Sequence, residues 1–152
     1  MKQESPGIGR ESMESRVLFI DDDASIGKLV RGLLEQRGFQ VTLATSGRQG
    51  LDIARSNPPD VILLDVMMPG MDGFEVCGMI RQDQALHKIP VVMLTAMDSQ
   101  DLHERACSAG AELCMTKPFW PERLLNVVNI ALQNVTLKRI QGHKKTLKRN
   151  TA

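Results

Sequence analysis

No stretch of the 152-residue chain is apolar for long enough to cross a membrane. The opening residues are polar and include Glu4, so no secretory signal is expected and the expected location is cytoplasmic. Cysteine is sparse. Cys77, Cys107 and Cys114 have neither metal-site spacing nor an even count, which fits reduced thiols, with a disulfide as the alternative. Glycine-rich phosphate loops are missing: Gly27-Lys28-Leu29 lacks the glycines and the Ser/Thr of one, and no G-x-G-x-x-G follows the first apolar run. There is no internal repeat and no low-complexity segment. Tyrosine is absent altogether.

What is present is globular: 42% hydrophobic and 24% charged residues, enough for one domain with a real core. The net charge of +1 conceals an asymmetry. Lys138, Arg139, Lys144, Lys145, Lys148 and Arg149 stand together without an acid, leaving 13 basic against 18 acidic groups elsewhere. The basic stretch reads as a solvated linker, a contact for nucleic acid or acidic membrane, or a partner helix. Gly142 within it and the lack of interleaved aromatics favour the linker, so no direct nucleic-acid or membrane partner is expected.

Residues 1–15 read as a disordered lead-in, 16–134 as a folded domain and 135–152 as a basic tail or linker. Within the domain, Val17-Leu18-Phe19-Ile20 is a short buried strand. Ile26, Leu29, Val30, Leu33 and Leu34 then recur at helical spacing up to Gly38. Residues 40–44 form a second strand, and Ser46 caps a second helix that ends at Asn57-Pro58-Pro59. Val61-Ile62-Leu63-Leu64 is a strand buried on both faces that ends on Asp65. Helices over 74–82 and 98–109, strands over 91–95 and 113–116, and a last helix from Pro121 complete the alternation. Five strands alternating with five helices through short links predict an α/β, doubly wound, five-stranded parallel sheet.

Parallel strands deliver their C-terminal ends to one edge, where such sheets place ligand sites. Asp21 and Asp22, Asp65, Thr95 and Lys117 all follow strand ends. Singly, each has a local alternative: Asp22 or Asp23 as a cap of the first helix, Thr95 as a cap of the fourth, Asp65 as a turn residue, Lys117 as a solvated lysine. Jointly those alternatives predict no common location. Three carboxylates together repel, and a bound cation relieves the repulsion; oxygen-only ligands point to Mg²⁺ rather than Zn²⁺. A lysine and a threonine hydroxyl beside it suit a phosphoryl group, for which a carboxylate can be the nucleophile.

Ile20-Asp21-Asp22-Asp23, the run from Leu63 through Asp65 and Pro69 to Gly73, Met93-Leu94-Thr95-Ala96 and Thr116-Lys117-Pro118-Phe119 together resemble the receiver domain of two-component response regulators over residues 16–134. The resemblance implies a flavodoxin-like (βα)5 fold of strand order 2-1-3-4-5. It implies that Asp65 accepts a phosphoryl group from a phosphohistidine on a sensor histidine kinase or phosphotransfer protein. Asp22, Asp65 and the backbone carbonyl of Met67 would hold Mg²⁺, with Asp21 acting through its water. Lys117 would pair with the phosphoryl oxygens, and the Lys117-Pro118 bond would be cis. Thr95 would move toward the phosphoryl group and alter the face of the fourth helix, fifth strand and fifth helix, where an output protein or a second copy binds. The activity implied is self-phosphorylation and self-dephosphorylation, without metabolite turnover.

Cys114 departs from the pattern, since family members commonly carry Tyr or Phe three residues before the lysine. Met67 and Met97 stand where the family tunes the hydrolytic water, and two flexible apolar side chains there predict a long-lived phosphorylated form. Trp120, replacing a commonly polar residue, is a candidate contact on the output face, while Phe119 is expected to pack inward. Two other readings stay open. One is the choice between a stand-alone receiver and a piece of a longer regulator with a cyclase, phosphodiesterase or hybrid-kinase output. Asp21-Asp22-Asp23-Ala24-Ser25 also resembles the opening of haloacid-dehalogenase-type phosphatases, with Asp21 as nucleophile and Asp23 as acid/base.

Overall fold

The computed structural model describes residues 14–96 and 100–150, with side chains through residue 135 and at residue 141. Most of the expected lead-in, and Met97, lie outside the described residues. Five strands and five helices alternate: β1 (Arg16–Ile20), α1 (Ala24–Glu35), β2 (Gln40–Ala44), α2 (Gly47–Ser56), β3 (Val61–Asp65), α3 (Gly73–Gln82), β4 (Val91–Thr95), α4 (Gln100–Ala109), β5 (Leu113–Thr116) and α5 (Pro121–Asn150). The strands pair in parallel in the order β2-β1-β3-β4-β5, the order the sequence led us to expect. Register pairs Ile20 with Leu64, Asp65 with Leu94 and Thr95 with Thr116, so the polar strand ends meet along one edge.

Side-chain alternation divides the core. Leu18, Ile20, Ile62, Leu64, Val91 and Met93 face α2, α3 and α4, whereas Val17, Phe19, Val61, Leu63, Val92 and Leu94 face α1 and α5. Every residue of β3 and β4 is buried, as a sheet covered on both faces requires.

Local chemistry sets the helix ends. Asp23 caps α1 by accepting from the Ser25 and Ile26 N–H groups at 2.9 and 3.3 Å, which assigns the first cap to Asp23 rather than Asp22. Ser46 accepts from Gln49 N–H, and Asp72 from Glu75 N–H, at the starts of α2 and α3. Gly38 and Gly110 end α1 and α4 with φ of 87° and 97°.

Two differences from expectation have plain causes. Leu29 lies on the outer face of α1 instead of in the core. The buried stripe there is Gly27, Val30 and Leu34, and Leu29 lies about 130° from its centre at 100° per residue. Gly27 belongs to the stripe because Leu43 packs against it, leaving a Cβ there only 3.3 Å from Leu43 Cδ1. The last helix runs on to Asn150, through the residues expected to be a tail. Its sequence there is rich in good helix formers, and Gly142 costs only about 1 kcal/mol against them. No helix among the described residues is long and apolar enough to cross a membrane.

The three cysteines are thiols in three settings: Cys77 buried, Cys114 half-buried, Cys107 exposed. Burial pushes the Cys77 thiol above its ordinary pKa, and nearby Arg81 only partly offsets this. A disulfide-exchange reagent should therefore modify Cys107 quickly in the native protein and Cys77 only on unfolding. Equal native rates at the two positions would contradict this packing.

Candidate functional site

Asp21, directly after β1, is held by its own backbone: its N–H donates to the Ala44 carbonyl at 3.0 Å, and its Oδ1 accepts from Asp23 N–H at 2.9 Å. Asp65 ends β3, and Val66 N–H donates to the Leu94 carbonyl at 2.9 Å, tying the next residue to β4. Asp21 is 3% exposed and Asp65 5%, while Asp22 lies open at the rim. Carboxylate oxygens of Asp21, Asp22 and Asp65 come within 4.8 Å of one another.

Lys117 reaches this cluster from the end of β5. Its Nζ donates to Asp21 Oδ2 at 2.5 Å and lies 3.2 Å from Asp65 Oδ1. Its backbone N–H donates to the Thr95 carbonyl at 2.7 Å, and the following Lys117-Pro118 bond is cis. Thr95 itself is fully buried at the end of β4.

The charges do not balance as a simple ion pair. Burial is the largest influence on Asp65 and raises its carboxyl above the ordinary value. The Lys117 charge pulls it back, Asp21 pushes it up again, and hydrogen bonds from Lys117 and from the Met67 backbone lower it, with the balance upward. For Lys117, burial alone would lower the ammonium pKa, but hydrogen bonds and charges from Asp21 and Asp65 outweigh it, so the cation is held firmly. One half-buried cation thus serves two buried carboxylates, and Asp22 adds a third acid within reach. Three hard oxygen donors with a net negative charge fit a small divalent cation such as Mg²⁺.

The remaining sequence candidates fall around this centre. Met67, two residues past Asp65, is exposed, and Trp120, three residues past Lys117, is 76% exposed. Cys114 is half-buried on β5 and packs against the α2–α4 side of the core. Sequence reasoning did not single out Gly73. A Cβ there would land on the Asp65 carbonyl oxygen and 2.8 Å from Val66 Cα, so α3 begins pressed against the backbone that carries Asp65. The only trace of this in the sequence is the pair Asp72-Gly73, a cap followed by the smallest residue.

A model of the response regulator receiver domain matches residues 17–129. Response regulator MprA of Mycolicibacterium vanbaalenii is 39% identical over 124 residues, 82% of this chain and 53% of that protein. The DNA-binding dual master transcriptional regulator RpaA of Synechocystis sp. is 41% identical over 118 residues, 78% of this chain and 49% of that protein. Among solved structures, chemotaxis response regulator CheY4 of Vibrio cholerae shares 35% identity at a TM-score of 0.75, covering 78% of this chain and 99% of that one. The chain spans about half the length of the curated relatives it matches.

Proposed function

Because the chain belongs to the response regulator receiver domain family, a family of signalling switches rather than metabolic enzymes, we propose that it is switched by phosphorylation of Asp65. The observation that carries this reading is the single Lys117 ammonium shared by buried Asp21 and Asp65. In the transfer, an Asp65 carboxylate oxygen attacks the phosphorus of a phosphohistidine. The O–P bond forms, the N–P bond breaks, and the imidazole leaves and takes up a proton. Asp21, Asp22 and Asp65 would hold Mg²⁺ with the Met67 carbonyl, and the bound cation would supply charge neutralisation at the phosphoryl oxygens. Lys117 orients the acceptor and meets the added negative charge. Thr95, at the end of the neighbouring strand, would follow that charge with its hydroxyl. The partners are a sensor histidine kinase or phosphotransfer protein upstream and an output protein or domain downstream, reached through the α4–β5–α5 face where Trp120 lies exposed. Its relatives MprA and RpaA extend well beyond the matched region, which favours a receiver unit within a longer regulator.

The phosphatase reading loses ground on one observation. The Asp23 carboxylate it needs as acid/base is engaged in capping α1. Incubation with Mg²⁺ and acetyl phosphate, followed by intact mass and peptide mapping, tests both. The expected result is one phosphoryl group on Asp65, absent from Asp65→Asn and persisting beyond seconds. A group on Asp21 would restore the phosphatase reading. No modification, with no Mg²⁺ binding, would overturn the switch.

A further inference from the structure

We propose that the contact between Phe74 and Arg105 is a latch that holds α4 in its resting arrangement and opens when Asp65 is phosphorylated. The opening half rests on the phosphoacceptor reading above; the resting latch does not.

Among the described helices α4 is the least embedded, with Ala106 its one buried residue. Its C-terminal end is pinned. The Cys77 thiol donates to the Ala109 carbonyl at 3.3 Å, and Arg81 Nε–H donates to the Gly110 carbonyl at 2.8 Å. The same guanidinium donates through Nη1 to the His87 and Ile89 carbonyls at 2.9 and 2.7 Å, so the pin belongs to α3 and the loop after it. Gly110 lies so close that a Cβ would meet Arg81 Cγ at 2.8 Å. Further along α4, the Arg105 guanidinium sits 4.2 Å above the Phe74 ring, at an open groove between α3 and α4. A helix fixed at one end and held beyond it by an exposed cation–π contact is a lever with a weak catch.

Phe74 joins that catch to the site. It follows Gly73, whose N–H donates to the Val66 carbonyl at 2.9 Å and whose Cα face abuts the Asp65 carbonyl. A phosphoryl group on Asp65 adds bulk and negative charge beside the Lys117 ammonium and the Met67 N–H. Any resulting shift of the 65–67 backbone reaches Phe74 through this close backbone contact, with no intervening side chain to absorb it.

Amide hydrogen exchange across α4 tests the latch in the full chain, for wild type, Arg105→Gln, Phe74→Leu and the double variant, before and after acetyl phosphate with Mg²⁺. In the resting proteins each single variant should exchange α4 amides about 3- to 5-fold faster than wild type, and the double variant no faster than either. Exchange in α1 should not change. On phosphorylation the wild type should rise to the variants' rate and the difference should vanish. Equal resting rates would overturn the latch. A difference that survives phosphorylation would show static packing and overturn its opening. Failure of wild type to take a phosphoryl group at Asp65 would instead overturn the phosphoacceptor reading and the opening with it, while the resting comparison still decides whether the catch exists.

Discussion

Gly73→Ala is expected to destabilise the protein by about 3 kcal/mol, at the upper end of what overpacking costs. Propensity alone predicts the reverse, since alanine is favoured over glycine in a helix by about 1 kcal/mol. The difference is steric. The new Cβ would meet the Asp65 carbonyl oxygen, lie 2.8 Å from Val66 Cα and 3.1 Å from the Asp65 carbonyl carbon. All three atoms are backbone, and β3 is hydrogen-bonded to strands on both sides, so nothing flexible is available to yield. Relief requires moving either α3 or the end of β3, and the latter carries Asp65, the proposed phosphoacceptor. Acetyl-phosphate labelling of whatever fraction folds should therefore slow by about 100-fold, the scale of an ångström's misplacement. Gly78→Ala is the control: it sits in the same helix with nothing within 4 Å of its Cβ, and should be neutral or stabilising by up to about 1 kcal/mol. Urea unfolding of the two variants beside wild type decides the matter. Equal midpoints for Gly73→Ala and Gly78→Ala would show that the α3 start can shift without cost.

The contrast between these two glycines also marks what the sequence could and could not disclose. Strands announced themselves because four apolar residues ending on a polar one, as in Val61 to Asp65, have few other uses, and parallel topology then carried Asp21, Thr95 and Lys117 to the same edge. The cap at Ser46 and the stop at Gly38 are local, and local signals survive in a one-dimensional reading. Gly73 against Asp65 is a backbone-to-backbone approach, which leaves no side-chain pattern to read. Arg81 spans from α3 to Gly110 by donating to carbonyls, which every residue possesses, so no partner residue type betrays it. Leu29 misled because five apolar residues were assigned to one stripe when the packing of Gly27 on Leu43 rotates that stripe away from it. The sharing of Lys117 was hidden for another reason: residue types fix that a lysine and acids meet, but not which acid the ammonium approaches more closely, which is a matter of side-chain placement in three dimensions.

That sharing leads to the second large effect. Lys117→Met keeps the length and apolar stem of the side chain and removes its charge. Asp21 and Asp65 are then buried facing each other with no counter-charge, and breaking a buried pair in this way costs about 3 kcal/mol or more. The loss should depend on pH with a definite sign. Asp65 in the folded protein already holds its proton more tightly than an ordinary carboxyl, through burial first and Asp21 besides. Its contribution is therefore favourable below the ordinary carboxylate pKa and is lost as pH rises through the raised folded value. Without the Lys117 charge and hydrogen bond, which pull the other way, the folded value climbs further and the window widens toward neutrality. The gap between variant and wild type should thus be largest at pH 7 and narrow toward pH 5, where protonation of Asp65 removes the repulsion. Lys117 itself adds no slope in this range, because its raised pKa keeps wild type fully charged here. Millimolar Mg²⁺ at pH 7 should raise the stability of the variant more than that of wild type, since the acids it leaves unbalanced are the same three that form the cluster. Urea titrations at the two pH values, with and without Mg²⁺, measure both trends. A gap independent of pH and of Mg²⁺ would mean that the lysine stem, rather than its charge, holds the site together.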